Sequence, residues 1–85
     1  MIKVEIIFGN NIGKIYDVKP LLLKWPQFKV LKNQAFFNVV TVDVGGVGIS
    51  WNENIDLSAF ELWWNGKWFS FYAIIKEVKR WKLMM

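Results

Sequence analysis

Seven carboxylates, with no histidine and no cysteine, set the range of chemistry open to this 85-residue chain. Disulfide staples, thiolate zinc sites, cysteine nucleophiles and histidine acid–base catalysis are all excluded by composition. Proton transfer would fall to Glu5, Asp17, Asp43, Glu53, Asp56, Glu61 and Glu77. Most of these have structural uses. Glu5 and Glu77 alternate with apolar neighbours on expected solvent faces, and Ser58-Ala59-Phe60-Glu61 has the spacing of a capping box. Asn52, Glu53, Asn54 and Asp56 supply some donors of a calcium loop but lack its 12-residue pattern and terminal bidentate glutamate, so they read as a polar turn. No partner base, glycine-rich phosphate loop or metal spacing accompanies the acids. The sequence therefore points to a non-catalytic protein with no metal and no cofactor.

The second candidate chemistry is aromatic and cationic. Six tryptophans and an aromatic share of 18% exceed ordinary usage, and the net charge is +4. Lys76, Lys79, Arg80 and Lys82 stand against Glu77 alone near the end of the chain, so the basic character belongs to its tail. With Trp68, Phe69, Phe71 and Tyr72 nearby, those four cations are candidate nucleic-acid contacts, aromatics stacking on bases while cations hold phosphate. Core packing competes with that reading: Trp51 and Trp63, with Phe60, sit at core spacing, and tryptophan is also enriched where proteins meet. No RNA-binding aromatic motif or zinc knuckle is present, and no complete helix-turn-helix fits after residue 66. The tail composition also suits a membrane-surface helix. No uncharged stretch approaches the roughly 20 residues of a membrane span. Lys3 and Glu5 interrupt any signal-like start, so a cytoplasmic protein is expected.

The elements that would position these groups follow from periodicity. Ile2, Val4, Ile6 and Phe8 alternate with polar residues as a half-buried strand does, and Gly9-Asn10-Asn11 predicts a hairpin return into Lys14–Val18. Pro20 opens a short helical turn over Leu21–Lys24, which Pro26 ends by pushing Trp25 out of the α region. Asn33 is a candidate N-cap for Gln34–Phe37. Val39–Val44 and Val47–Trp51 read as strands joined by a two-residue Gly45-Gly46 hairpin. Ser58 caps a helix reaching about Trp64, and Asn65-Gly66 closes it with a left-handed residue. Trp68–Ile75 is β-branched and aromatic enough for a strand. Yet Phe71, Ile74, Val78, Trp81 and Met85 fall at spacings of three and four and, with Ile75, span about one third of a helix circumference, which predicts a C-terminal helix from about Ser70. The fold class expected is α+β: a mainly antiparallel sheet of about four strands, two or three short helices and an added C-terminal amphipathic helix.

The stretch Gly46–Gly66, with its Gly-Ile-Ser-Trp strand end, polar turn, Asp56-Leu57, helix and closing Asn65-Gly66, resembles the family of small bacterial proteins called domain of unknown function 2442. Lys14–Leu23 resembles that family's second strand, acidic residue and proline-opened turn, and Phe28, Leu31 and Phe37 stand where it places Phe, Leu and Phe. The likeness covers about residues 2–66, taken as the small α+β domain. Residues 67–85 lie outside it as an amphipathic extension, either part of the same domain or a dimer interface. The resemblance picks out Asp17 and Asp56 as a conceivable carboxylate pair; acceptance of backbone N–H bonds at turns is the competing role. It implies Trp51, Asp56, Ser58, Glu61 and Gly66 as a structural motif. It also implies a small cytoplasmic protein, often encoded beside another small protein, in a toxin–antitoxin or regulatory setting.

The sequence thus points to a non-catalytic protein-interaction module, the partner or antitoxin-like component of a two-gene system. It is expected to form a homodimer through Phe71, Ile74, Val78, Trp81 and Met85, because the chain carries more large apolar side chains than so small a domain hides, and to engage a further protein partner. The alternative is a regulator that binds nucleic acid through the basic tail.

Overall fold

The alternation at the start of the chain produces strand β1, Lys3–Phe8, with Val4, Ile6 and Phe8 buried on one face. The computed structural model describes residues 2–9, 11–66 and 75–80. Asn11, at φ 66°, turns the chain into β2, Gly13–Asp17, antiparallel to β1. Pro20 lies in the first turn of α1, Lys19–Lys24, and Asp17 Oδ1 accepts from the Lys19 N–H at 3.0 Å. Trp25, ahead of Pro26, is extended and ends the helix. The chain continues as a 3₁₀ turn over Pro26–Lys32, whose three-residue period puts Phe28 and Leu31 on one buried side. Asn33 caps α2, Gln34–Phe37, its side chain accepting from the Phe36 N–H at 3.0 Å.

A second antiparallel sheet follows, built from β3 (Thr41–Val42), β4 (Gly48–Asn52) and β5 (Ile55–Ser58) in the order β3-β4-β5. Between β3 and β4 the structure corrects the two-residue hairpin. Gly45 and Gly46 both have positive φ, but they lie in a 3₁₀ turn, Val44–Gly46, inside a wider loop. That loop is held by the Gly46 N–H on the Asp43 carbonyl and by Ser50 Oγ donating to Asp43 Oδ1 at 2.6 Å. Gly48 is required for space: a Cβ there would stand 2.6 Å from the Leu57 carbonyl oxygen. A bulge at Trp51 aims its indole inward, where Nε1 donates to the Phe37 carbonyl at 3.0 Å and the ring stacks on Phe37.

Helix α3, Ala59–Asn65, starts at Ser58, whose hydroxyl accepts from the Glu61 N–H at 3.0 Å. Half of the capping box is therefore made. The other half is not, because Glu61 turns its carboxylate toward β2. Gly66 also departs from expectation: at φ −75° and ψ 171° it is extended, not left-handed. Its glycine answers a packing demand instead, since a Cβ would lie 2.5 Å from the Leu62 carbonyl oxygen and 3.1 Å from Lys14 Cβ. Replacing Ser58 with Ala should cost about 0.5–2 kcal/mol in a urea melt through the lost cap. A change inside about 0.3 kcal/mol would contradict the cap.

The largest correction is in the tail. Ile75–Arg80 forms strand β6, antiparallel to β1 on the side away from β2, giving a first sheet in the order β2-β1-β6. The added C-terminal helix does not form over these residues. A short apolar run cannot be assigned by periodicity alone, and β1 offers an open ladder to β-branched Ile75 and Val78. A bulge lets both serve one face: Phe8 opposes Ile75 and Ile6 opposes Val78, with one extra β6 residue between. Ile75 is buried and Val78 half-buried against the core. The α+β class and the antiparallel pairing hold, with two three-stranded sheets replacing one sheet of about four strands. Residues 75–80 thus belong to the same domain as residues 2–66.

Candidate functional site

The period-2 register of β2 places Lys14 and Tyr16 on the core-facing side, opposite Ile6 and Val4. Lys14 is only 1% exposed. Its Nζ donates to the Trp63 carbonyl, one of the orphan acceptors in the last turn of α3, and lies 4.3 Å from the centroid of the Trp63 ring. A cation at a helix C-terminus also meets the negative end of the macrodipole. Burial pushes the Lys14 ammonium below the ordinary lysine range. Trp63 in turn packs edge-on against Phe8, centroids 4.7 Å apart. Lys14 is thus a structural clamp between the first sheet and α3.

Tyr16 donates its hydroxyl to Glu61 Oε2 at 2.7 Å, and Asn65 Nδ2 donates to the same oxygen at 2.9 Å. Burial first, then the hydrogen bond and charge of Glu61 and the charge of Asp17, push the Tyr16 phenol above its ordinary range. The Tyr16 phenol therefore stays protonated at neutral pH. That suits a structural link better than proton transfer.

Beside this link the surface has two adjoining depressions of about 420 and 540 Å³, which share Leu21, Lys24 and Glu61. The smaller runs between the Trp25–Phe28 segment and β5, touching Asp56 and Leu57; the larger opens beside β2 and touches Asp17. Asp17 and Asp56 therefore line neighbouring depressions rather than one. Asp17 accepts a backbone N–H, and Asn52 Oδ1 accepts from the Asn54 N–H at 2.8 Å, so the polar turn after β4 is closed by the Asn52 side chain. Among the described residues no three acidic side chains gather as a metal site would need.

A third feature is the outer face of α3. Phe60 and Trp64 are 70% and 54% exposed, and their rings meet at 5.7 Å. The core spacing of Phe60 misleads, because α3 buries Ala59, Leu62 and Trp63 and leaves Phe60 on the opposite side. Leu23 and Trp25 are also exposed.

Of the motif residues, Trp51 is buried, Asp56 is exposed beside the smaller depression, and Ser58, Glu61 and Gly66 build α3 and its ends. Of the predicted interface, Val78 packs on the chain's own core, whereas Phe71, Ile74, Trp81 and Met85 lie outside the described residues. Lys76, Lys79 and Arg80 fall in β6, which among the described residues pairs with β1, and Lys82 lies outside the described residues. Lys14, Tyr16 and the Phe60–Trp64 pair are the features sequence reasoning missed. The two-residue spacing of Lys14 and Tyr16 was the available signal for the first two. No helix among the described residues is long and apolar enough to cross a membrane.

No family model matches this chain, and no curated protein or solved structure matches it either. The likeness to domain of unknown function 2442 rests on the quoted residues alone.

Proposed function

We propose that this chain is a non-catalytic protein-interaction module that self-associates and engages a protein partner, as the family likeness implies for an antitoxin-like component. The observation that carries the reading is the exposed Phe60–Trp64 pair on α3. Large aromatics are costly to leave in water and are the commonest anchors of protein interfaces. Of the acids, Asp17 accepts a backbone N–H at a turn, Asp43 accepts from Ser50 and Glu61 holds Tyr16. The α3 face suits a second copy, because Glu61, the sole charge of that helix, is turned away to Tyr16, so two-fold pairing brings no like charges of α3 itself together. Two aromatics bury roughly 150–250 Å² each, short of the roughly 800 Å² per partner of a standard interface. The pair is an anchor in a modest interface.

Sedimentation of the full chain across the micromolar range tests this. The expected result is a concentration-dependent dimer that Phe60→Ser with Trp64→Ser converts to a monomer of unchanged melting temperature. A parent chain that stays monomeric throughout would overturn self-association.

A further inference from the structure

The smaller depression is lined by Asp56 and Leu57, neighbours on β5 whose side chains point to opposite faces of the sheet, Asp56 exposed and Leu57 buried. A groove that touches both must run along the strand's edge. Among the described residues β5 is an edge strand, hydrogen-bonded only to β4. The register shows which backbone groups face the groove. The Asp43 N–H binds the Gly48 carbonyl, so Gly48 faces β3 and Ile49, next along β4, faces β5, opposite Leu57. The Ala59 N–H on the Val47 carbonyl fits the same alternation. Leu57 therefore spends its backbone groups on β4, and the N–H and C=O of Asp56 point outward, with no hydrogen-bond partner among the described residues.

Self-pairing of this edge across a two-fold axis would bring the Asp56 carboxylates of two copies together, which like-charge repulsion opposes. The groove carries Asp56 and Glu61 against Lys24, with Leu21, Trp25 and Phe28 as an apolar wall. An extended segment whose cationic residue lies over this wall would meet complementary charge, an aromatic surface for its stem, and an open backbone pair.

We propose that the β5 edge is a strand-addition site for an extended peptide segment of a partner protein, with a Lys or Arg side chain seated between Asp56 and the Trp25–Phe28 wall. The segment pairs its backbone with Asp56 and extends the second sheet from three strands to four. The proposal rests on the interaction-module reading and names the partner class; it does not use the α3 face.

An array of short extended peptides with varied flanks and a central Lys, Arg, Ala or Glu, probed with the labelled full-length protein, tests it. Lys- and Arg-centred peptides should be retained over Glu-centred ones of the same flanks. N-methylation of the central backbone should weaken the best of them about tenfold, the effect of one lost hydrogen bond pair. Asp56→Lys should remove the cationic preference. Asp56→Pro, which deletes the outward N–H together with the carboxylate and is tolerated on an edge strand, should weaken every peptide, Glu-centred ones included, and also remove the cationic preference, with melting curves confirming that both variants fold. The Phe60→Ser, Trp64→Ser protein should bind the peptides unchanged, so loss of the dimer and loss of peptide binding are separate outcomes. Equal retention of Lys- and Glu-centred peptides, insensitivity to N-methylation, or no retained peptide would overturn the proposal.

Discussion

Ending the chain at Gly66 should abolish its cooperative unfolding transition. The deletion removes β6, and with it five register pairs along β1 from Val4 to Phe8. It strips Ile75, 3% exposed, from the core and uncovers one side of a strand whose Val4, Ile6 and Phe8 are fully buried. Burial of a side chain such as Ile75 contributes about 1.5–3 kcal/mol, and each ladder hydrogen bond about 0.5–1.5 kcal/mol net. A small domain has only about 5–15 kcal/mol in total. Far-UV circular dichroism through a thermal ramp reads the result: a broad, non-cooperative change is expected. A truncated chain that melts sharply would show that residues after Gly66 are an optional extension, as the family likeness on its own suggests. The same deletion cannot be used to locate a dimer interface, because it damages the monomer first.

Leu62→Ala should be strongly damaging, at about 2–5 kcal/mol. Leu62 is fully buried and packs with Trp51 and Leu57 in one core. The corner that holds them is stiff: Trp51 is hydrogen-bonded to Phe37, and the C-terminal end of α3 is clamped by Lys14. A rigid surround relaxes little around a cavity, which favours the upper half of that range. Phe60→Ala is the matched control, because Phe60 is larger yet 70% exposed on the same helix. Its effect on monomer stability should stay within about 0.5 kcal/mol. Urea melts of both variants check the pair. A loss below about 0.5 kcal/mol for Leu62→Ala would put that residue outside the core.

Local rules read well in the sequence where one chemical feature dominates. Alternation gave β1, Pro26 stopped α1 at Trp25, and Asn33 and Ser58 cap the helices that follow them. The failures share a cause: a distant partner decided the outcome. The helical spacing of Val78 with its neighbours yielded to the open ladder of β1, which only the folded chain presents. Glu61 left its own cap for Tyr16, 45 residues away in sequence. Gly66 serves the close approach of Lys14 rather than a left-handed turn. The candidate site was less legible still. Asp56 stood out by its place in a family-like motif, but its outward backbone groups follow from the register of β4 between β3 and β5. The exposed aromatic pair follows from which side of a seven-residue helix meets the core.

Self-association through α3 makes Trp64 its own reporter. Labelling the tryptophans with 5-fluorotryptophan and following each fluorine resonance on dilution tests it most directly, with single Trp→Phe variants giving the assignments. A concentration-dependent shift is expected for Trp64, with fixed positions for the buried Trp51 and Trp63. A resonance of Trp64 that ignores concentration, while Trp81 shifts instead, would return the interface to the tail and contradict this account.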